Sequence, residues 1–377
     1  MIGERKHFVD EFGEKIKLAQ SEFHNKSGSW EELSQKIDKS KTSWLLAGIS
    51  SPLNITSPLP KRPSNYTAIS SDGSQIFPDR HEVLSCYLIN ISSVVINYGD
   101  NSGAELSSNP SLFYKDEDRF TLWDGKKIPA NSNIISHKRT LMEFERLLDL
   151  AEENRDRENV ISISDGTLIM WNLEGTPSDF KTAILEPFLN IMEEFKKRHL
   201  PIIGYISYPG STDVINTLRL GLCPDKVSYC NQCPYTELPE LPCAPIEGLT
   251  DRNLFSTFLK EGEMSGVFRS SSKILESYGD HHIYFFYLNI GQEIARVEIP
   301  KWVTEDADML TLVHTLVYDQ AKKGKGYPVV ISESHEQAVV RGKDRNYFFD
   351  VVKESMVKAD FNVTISRKGL SKRVPGV

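Results

Sequence analysis

The chain has 377 residues, 39% hydrophobic and 25% charged, which suits one large α/β domain with insertions or two ordinary domains, each able to bury a substantial core. No apolar run nears the roughly 18 residues that a membrane span needs, so no membrane segment is expected. A net charge of −8 excludes coating of nucleic acid by bulk electrostatics, yet a nuclease stays open, because metal-binding carboxylates count as negative and a basic groove can be local.

Residues 1–50 read as a helical extension, with Phe8, Phe12, Ile16 and Ala19 at steps of four and three. Its opening lacks the apolar core and cleavage site of a signal peptide, and a cytoplasmic location is expected. "SPLNITSPLPKRPSN", residues 51–65, is rich in Pro and Ser and reads as a linker into a domain over 66–350. "YTAISSDGSQIF" and "EVLSCYLINISSVVINYG" are dense in Val, Ile and Tyr, as central strands are. Residues 101–130 are polar, turn-rich and poorly periodic.

"IISHKRTLMEFERLLDLAEENRD" predicts a helix with Leu141, Phe144, Leu148 and Ala151 on one face. "NVISISDGTLIMW", 159–171, reads as a strand, and 178–200 as a helix with Phe180, Ile184, Phe188 and Ile191 aligned and Pro187 inside. "PIIGYISYP" is a further strand, followed by a cysteine-containing insertion at 221–247. "HHIYFFYLNI" and "EIARVEIP" predict a hairpin, 304–323 a helix, and 329–341 a helical segment carrying His335. Residues 351–377 end in the basic stretch "SRKGLSKRV". This order of elements matches a ribonuclease-H-like α/β fold: a mixed central sheet flanked by helices, with antiparallel strands first and alternating helices and parallel strands after them.

Two-metal phosphodiester hydrolysis needs carboxylates converging on Mg²⁺ or Mn²⁺, since hard cations take oxygen ligands. In a ribonuclease-H-like sheet the first Asp lies on the first strand, a Glu on the first core helix and a second Asp on the fourth strand. Asp72, Glu143 and Asp165 occur in that order, and His335 is placed to act as a further ligand or proton-transfer group. Glu143 sits beside the apolar face of its helix, while Glu145 competes for the role. Asp72 and Asp165 are each followed by glycine, which would let the chain turn away and leave room for an ion. Asp-Gly is also a common turn dipeptide, and His335 can equally be an exposed helical histidine.

The set "AISSDGSQ", "LMEFERLLDL", "SISDGTLI", "PIIGYISYPGSTDVINTLRL" and "GKGYPVVISESHEQAVV" resembles the NurA nuclease family over about 65–350. That resemblance implies an Mn²⁺-dependent (or Mg²⁺-dependent) deoxyribonuclease with two ions, acting in DNA end processing and double-strand break repair. The expected activity is 5′–3′ exonuclease, single-strand endonuclease or both, in a homodimer working with a hexameric HerA-type translocase. Carried over position by position, the metal and catalytic residues are Asp72, Glu143, Asp165 and His335, and Tyr327 matches a motif position without an assigned step. Where family members carry a basic residue after the third strand, this chain has Tyr205, Ser207 and Tyr208, so Arg219, Arg269 and Lys273 become the candidates for phosphate contacts.

Cys223, Cys230, Cys233 and Cys243 have the ligand count for Zn²⁺ or a [4Fe–4S] cluster, with free thiols as the alternative. Two other functional classes compete with the nuclease. One is a weakly active or inactive scaffold that binds DNA ends or a partner ATPase. The other is a nucleotide-using enzyme of the actin and sugar-kinase type, which would need glycine-rich phosphate loops that this chain lacks.

Overall fold

The computed structural model describes residues 2–78 and 86–358, so the basic stretch 366–374 lies outside the described residues. The chain divides into two compact units. One is built from Met1–Pro63, Ile163–Glu174 and Pro201–Val329, the other from Ser64–Ser162, Gly175–Leu200 and Val330–Val377.

The unit that begins at Ser64 holds the mixed sheet expected of a ribonuclease-H-like fold. Tyr66–Ser70 pairs antiparallel with Tyr87–Tyr98, and its other edge pairs parallel with Val160–Ser162, Thr67 opposite Val160 and Ile69 opposite Ser162. With neighbours on both sides it is buried at every position, which is why "YTAIS" shows no polar alternation. Tyr87–Tyr98 in turn pairs with Gly103–Phe113, from Tyr87 opposite Phe113 to Asn97 opposite Gly103.

That last strand corrects the irregular reading of 101–130, as does a hairpin of Phe120–Trp123 and Lys126–Pro129. Most of Gly103–Phe113 is exposed, so its register comes from its neighbour and leaves no hydrophobic period in the sequence. Pro110 fits there, because a strand paired along one side can present the missing N–H to solvent.

The helix Ser132–Glu153 starts at Asn131, whose side chain accepts from the Ile134 N–H. It buries Phe144, Leu147, Leu150 and Ala151. Leu141 and Leu148 are half-buried, so the apolar stripe is rotated from the expected one. Phe144 meets Phe188 of the helix Ser178–Lys197 edge to face at 4.9 Å.

In the other unit the sheet runs Ala47–Gly48, Phe268–Ser270, Ile283–Asn289, Ile294–Pro300, Ile202–Ile206, antiparallel throughout. The expected hairpin is its centre. Phe285, Tyr287 and Ile294 join Ala19 and Phe23 of the first helix in one apolar cluster, with Phe12 and Ile16 packed against it; the Phe8 side chain lies outside the described residues. The 51–65 stretch is more than a linker, since Leu53 is buried and Thr56–Ser57 pairs with Met264–Ser265.

Buried charge is concentrated in this unit. Arg296 lies between Asp213 (3.2 Å) and Glu298 (3.1 Å), its guanidinium 3.6 Å from the Phe285 ring centroid. The first turn of the helix Asp213–Leu222 is capped from a distance: the Asp251 carboxyl accepts from the Val214 and Ile215 N–H groups and, at 2.6 Å, from the Tyr287 hydroxyl.

Burial, and next the nearby charge of Asp213, push the Asp251 carboxyl up to about 7. The folded state therefore holds this proton more tightly than the unfolded chain, whose aspartates titrate near about 3.9. Its contribution to stability is fully present below about pH 4 and is lost as pH rises through about 7. Denaturant midpoints measured from pH 5 to pH 8 should fall more steeply for the wild type than for Asp251→Asn; equal slopes would show that Asp251 is already ionised at pH 5.

Candidate active site

Asp72 stands at a joint between Tyr66–Ser70 and Gly73–Ile76, both of which pair with Tyr87–Tyr98: Ser70 opposite Val94, Gly73 opposite Ile91. The pairing carries across the joint, because the Ser92 N–H donates to the Asp72 carbonyl at 2.8 Å and the Asp72 N–H donates to Ser92 Oγ at 2.9 Å. The strand therefore continues past Asp72, which corrects the expectation that glycine turns the chain away. Gly73 has no left-handed φ. What it provides is space: a Cβ there would lie 2.6 Å from Glu143 Oε1, 2.8 Å from Arg139 Cγ and 3.0 Å from Ile91 Cδ1.

Glu143 thus reaches the Asp72 strand from its helix, whereas Glu145 is exposed. Asp72 and Glu143 are 20% and 17% exposed, open enough for a ligand yet held in place. Arg139 Nε lies 2.9 Å from Glu143 Oε1, and Arg139 Nη1 donates to Gln75 Oε1 at 2.9 Å, tying the helix to the strand. The sequence reading missed Arg139, although its position four residues before Glu143 is the spacing of a helical ion pair.

His335 lies on the helix Val329–Ala338, with Nδ1 3.1 Å from Asp72 Oδ2. Small polar groups seat this helix on the sheet: Ser334 Oγ meets Ser70 Oγ at 3.1 Å, and the Ala338 carbonyl accepts from Asn90 Nδ2 at 2.9 Å and from the Ser74 hydroxyl. Asp72, Glu143 and His335 are therefore brought together within one unit.

Asp165 belongs to the other unit. Its strand ends there, short of the expected 159–171, because Gly166 takes φ +87° and donates its N–H to the Tyr205 carbonyl at 2.8 Å. Glu298 fixes the turn by accepting from the Thr167 hydroxyl (2.7 Å) and the Leu168 N–H (2.9 Å). The Tyr327 hydroxyl donates to Asp165 Oδ1 at 2.6 Å, and its ring packs edge to face on Tyr205 at 5.7 Å.

Of the three residues in the region that departs from the family pattern, Tyr205 is buried and Ser207 donates to Glu293. Tyr208 is exposed, with the Arg252 guanidinium 3.3 Å from its ring centroid. Arg269 and Lys273 are also exposed, Arg269 lying 3.4 Å from Asp38. Arg219 departs from its expected role: it is buried, stacked on Trp44, paired with Glu247 at 2.9 Å and donating to the Cys243 carbonyl, so its guanidinium serves packing and not phosphate.

Among the described residues no group of three or more His, Cys, Asp or Glu is gathered closely enough to hold a metal ion. The donors of Asp72, Glu143 and His335 nevertheless fit a hard divalent cation in kind, two carboxylates and an imidazole beside the space that Gly73 leaves open. In this structure Arg139 supplies the positive charge that Glu143 faces. Among the described residues no helix is long and apolar enough to cross a membrane.

Carboxylates presented by a mixed ribonuclease-H-like sheet define a nuclease of that fold class. The chain belongs to the NurA family: the NurA domain matches residues 67–340. The crystal structure of the NurA nuclease from Sulfolobus solfataricus is similar in fold, with a TM-score of 0.50 at 14% identity, covering 81% of this chain and 88% of that one. The search of curated proteins finds no match. Membership of the family implies divalent-metal use in general.

Gly73→Ala is expected to push Glu143 away from the Asp72 strand. Nuclease activity should fall at least about tenfold, with a stability loss of about 1–3 kcal/mol from overpacking. Unchanged activity alongside an unchanged melting temperature would show that the approach of Glu143 is not needed.

Proposed function

We propose that this chain is an Mn²⁺- or Mg²⁺-dependent deoxyribonuclease that hydrolyses phosphodiester bonds, as 5′–3′ exonuclease, single-strand endonuclease or both. Asp72, Glu143 and Asp165 are its carboxylate ligands, with His335 as a further ligand or proton-transfer group, and two ions are used. The observation that carries this reading is the junction at Gly73, where a strand and a helix present Asp72 and Glu143 without an intervening side chain. Counting along the chain, Asp72 and Asp165 each follow the last parallel-paired positions, Ile69 and Ser162, by three residues.

A divalent ion bound there would supply Lewis-acid stabilisation of charge on the phosphate and lower the pKa of an attacking water. The protein's own part is to hold the oxygen donors and to move a proton. With Nδ1 of His335 engaged on Asp72 Oδ2 and the side chain 62% exposed, the other ring nitrogen is the one open to solvent and substrate. Asp72 orients the imidazole as a carboxylate orients a general acid or base. Tyr327, through its hydroxyl on Asp165 Oδ1, sets the direction of that carboxylate. Arg269, Lys273 and Arg252 at Tyr208 are the phosphate contacts, sequence-independent and salt-sensitive.

The wider setting follows the family: DNA end processing and double-strand break repair in the cytoplasm, in a homodimer coupled to a hexameric HerA-type translocase.

Cleavage of single- and double-stranded DNA with Mn²⁺, with and without a HerA-type ATPase, tests the reading. Asp72→Ala, Glu143→Gln and Asp165→Ala are each expected to abolish cleavage, and His335→Ala to slow it by about 10²–10⁴, with circular dichroism unchanged. Near-full activity of Asp72→Ala or Asp165→Ala would overturn the assignment. In binding titrations, Arg269→Ala and Lys273→Ala should each reduce the salt slope by about one. Arg219→Ala should lower the melting temperature and leave that slope alone.

A further inference from the structure

The insertion that follows the helix Asp213–Leu222 is held together by little regular structure. From Cys223 to Gly248 it has one 3-10 turn, Cys230–Gln232, and one bridge, Lys41 to Tyr229. Its backbone is anchored to the N-terminal segment by a few bonds: the Lys41 N–H donates to the Ser228 carbonyl at 2.8 Å, the Cys230 N–H donates to the Lys41 carbonyl at 3.0 Å, the Ser228 N–H donates to Ser40 Oγ at 2.9 Å, and the Lys36 ammonium donates to the Cys223 carbonyl. A loop of this length needs a further constraint to stay in one conformation.

Four of the five cysteines are in this insertion, and all four line one cavity of about 80 Å³. None is in a disulfide. The rest of the lining is chiefly apolar, with Trp44, Leu220, Tyr235 and Leu241 among it.

Size and charge say what such a space would hold. One water occupies about 10–15 Å³ on this measure, so the cavity that these cysteines line has room for a body of several atoms. A lone Zn²⁺ draws its thiolates to about 2.3 Å and leaves no such space. Among the described residues no group of three or more His, Cys, Asp or Glu is close-set enough to hold a single metal ion, so the four cysteines are not gathered about one ion. Four cysteine ligands around a multi-atom inorganic core is the donor set of a [4Fe–4S] cluster.

Two cations bond to cysteine backbone carbonyls, and of these Arg219 lines the cavity. The Lys36 ammonium donates to the Cys223 carbonyl, and Arg219 Nε donates to the Cys243 carbonyl at 3.0 Å. Arg219 is buried and lines the same cavity, where its charge would offset that of a thiolate-ligated cluster.

We propose that Cys223, Cys230, Cys233 and Cys243 ligate a [4Fe–4S] cluster that staples the 223–248 insertion to the N-terminal segment. Ligation releases the thiol protons and gives each iron one cysteine sulfur. The role is structural and separate from the Asp72 chemistry.

The full chain, purified anaerobically and then reconstituted with equal amounts of ferric and ferrous iron and sulfide, is analysed for iron, acid-labile sulfide and zinc and by visible absorption. About four irons and four sulfides per chain are expected, with a visible absorption that dithionite bleaches. Cys230→Ser and Cys233→Ser should lose most of the iron, while Cys86→Ser, at a buried cysteine outside the cavity, should keep it. Less than about one iron per chain after reconstitution overturns the proposal. So do stoichiometric zinc without sulfide, or iron retained in both Cys230→Ser and Cys233→Ser. Because iron in the wild type decides the matter, a variant that fails to fold does not shelter the proposal.

Discussion

Arg296 cannot lose its charge and is almost wholly buried, so its neighbourhood has to be built around it. Two carboxylates from different elements do this, Asp213 from the start of a helix and Glu298 from the arginine's own strand. Glu298 has a second task, because its other oxygen accepts from Thr167 and Leu168. Neutralising a buried cation and fixing the turn after Asp165 are therefore one arrangement. The same helix start is capped by Asp251, whose proton affinity is raised by burial and by Asp213, so charge balance and helix capping in this unit are coupled.

In the other unit the site is set by closeness of approach. The strand passes Asp72 without leaving its neighbour, and glycine at 73 lets a helix carboxylate come where any side chain would collide. Around that contact the polar groups are small: Ser70, Ser74, Ser92 and Asn90 fasten the joint and the helix of His335 by hydrogen bonds. Small hydroxyls suit this place, since they satisfy backbone groups next to a buried strand without filling the space in front of the carboxylates.

The insertion follows a third logic. It lacks a ladder of backbone hydrogen bonds and gathers four cysteines, one arginine and apolar surface about a single cavity. Arg219 belongs to that arrangement. Read along the chain it is a basic residue following a strand, and it gives no sign of being buried until Trp44, Glu247 and the Cys243 carbonyl are seen around it.

The sequence by itself determined the class of fold and supplied the candidates for the site. Strand periodicity, helical stripes and the order of elements are local properties, and Asp72, Asp165, His335 and the cysteines could be picked out by residue chemistry and spacing. It failed at Gly103–Phe113, whose pattern is dictated by its neighbour across the sheet and whose exposed faces leave no hydrophobic period. Tertiary structure alone decided that Glu143 and not Glu145 reaches the strand, that Gly73 gives room and not a turn, and that Arg139 stands beside Glu143. It also decided that Arg219 is buried. Each of these depends on which backbone lies opposite a residue at a separation of a few ångströms, and no local pattern of residue types encodes that distance.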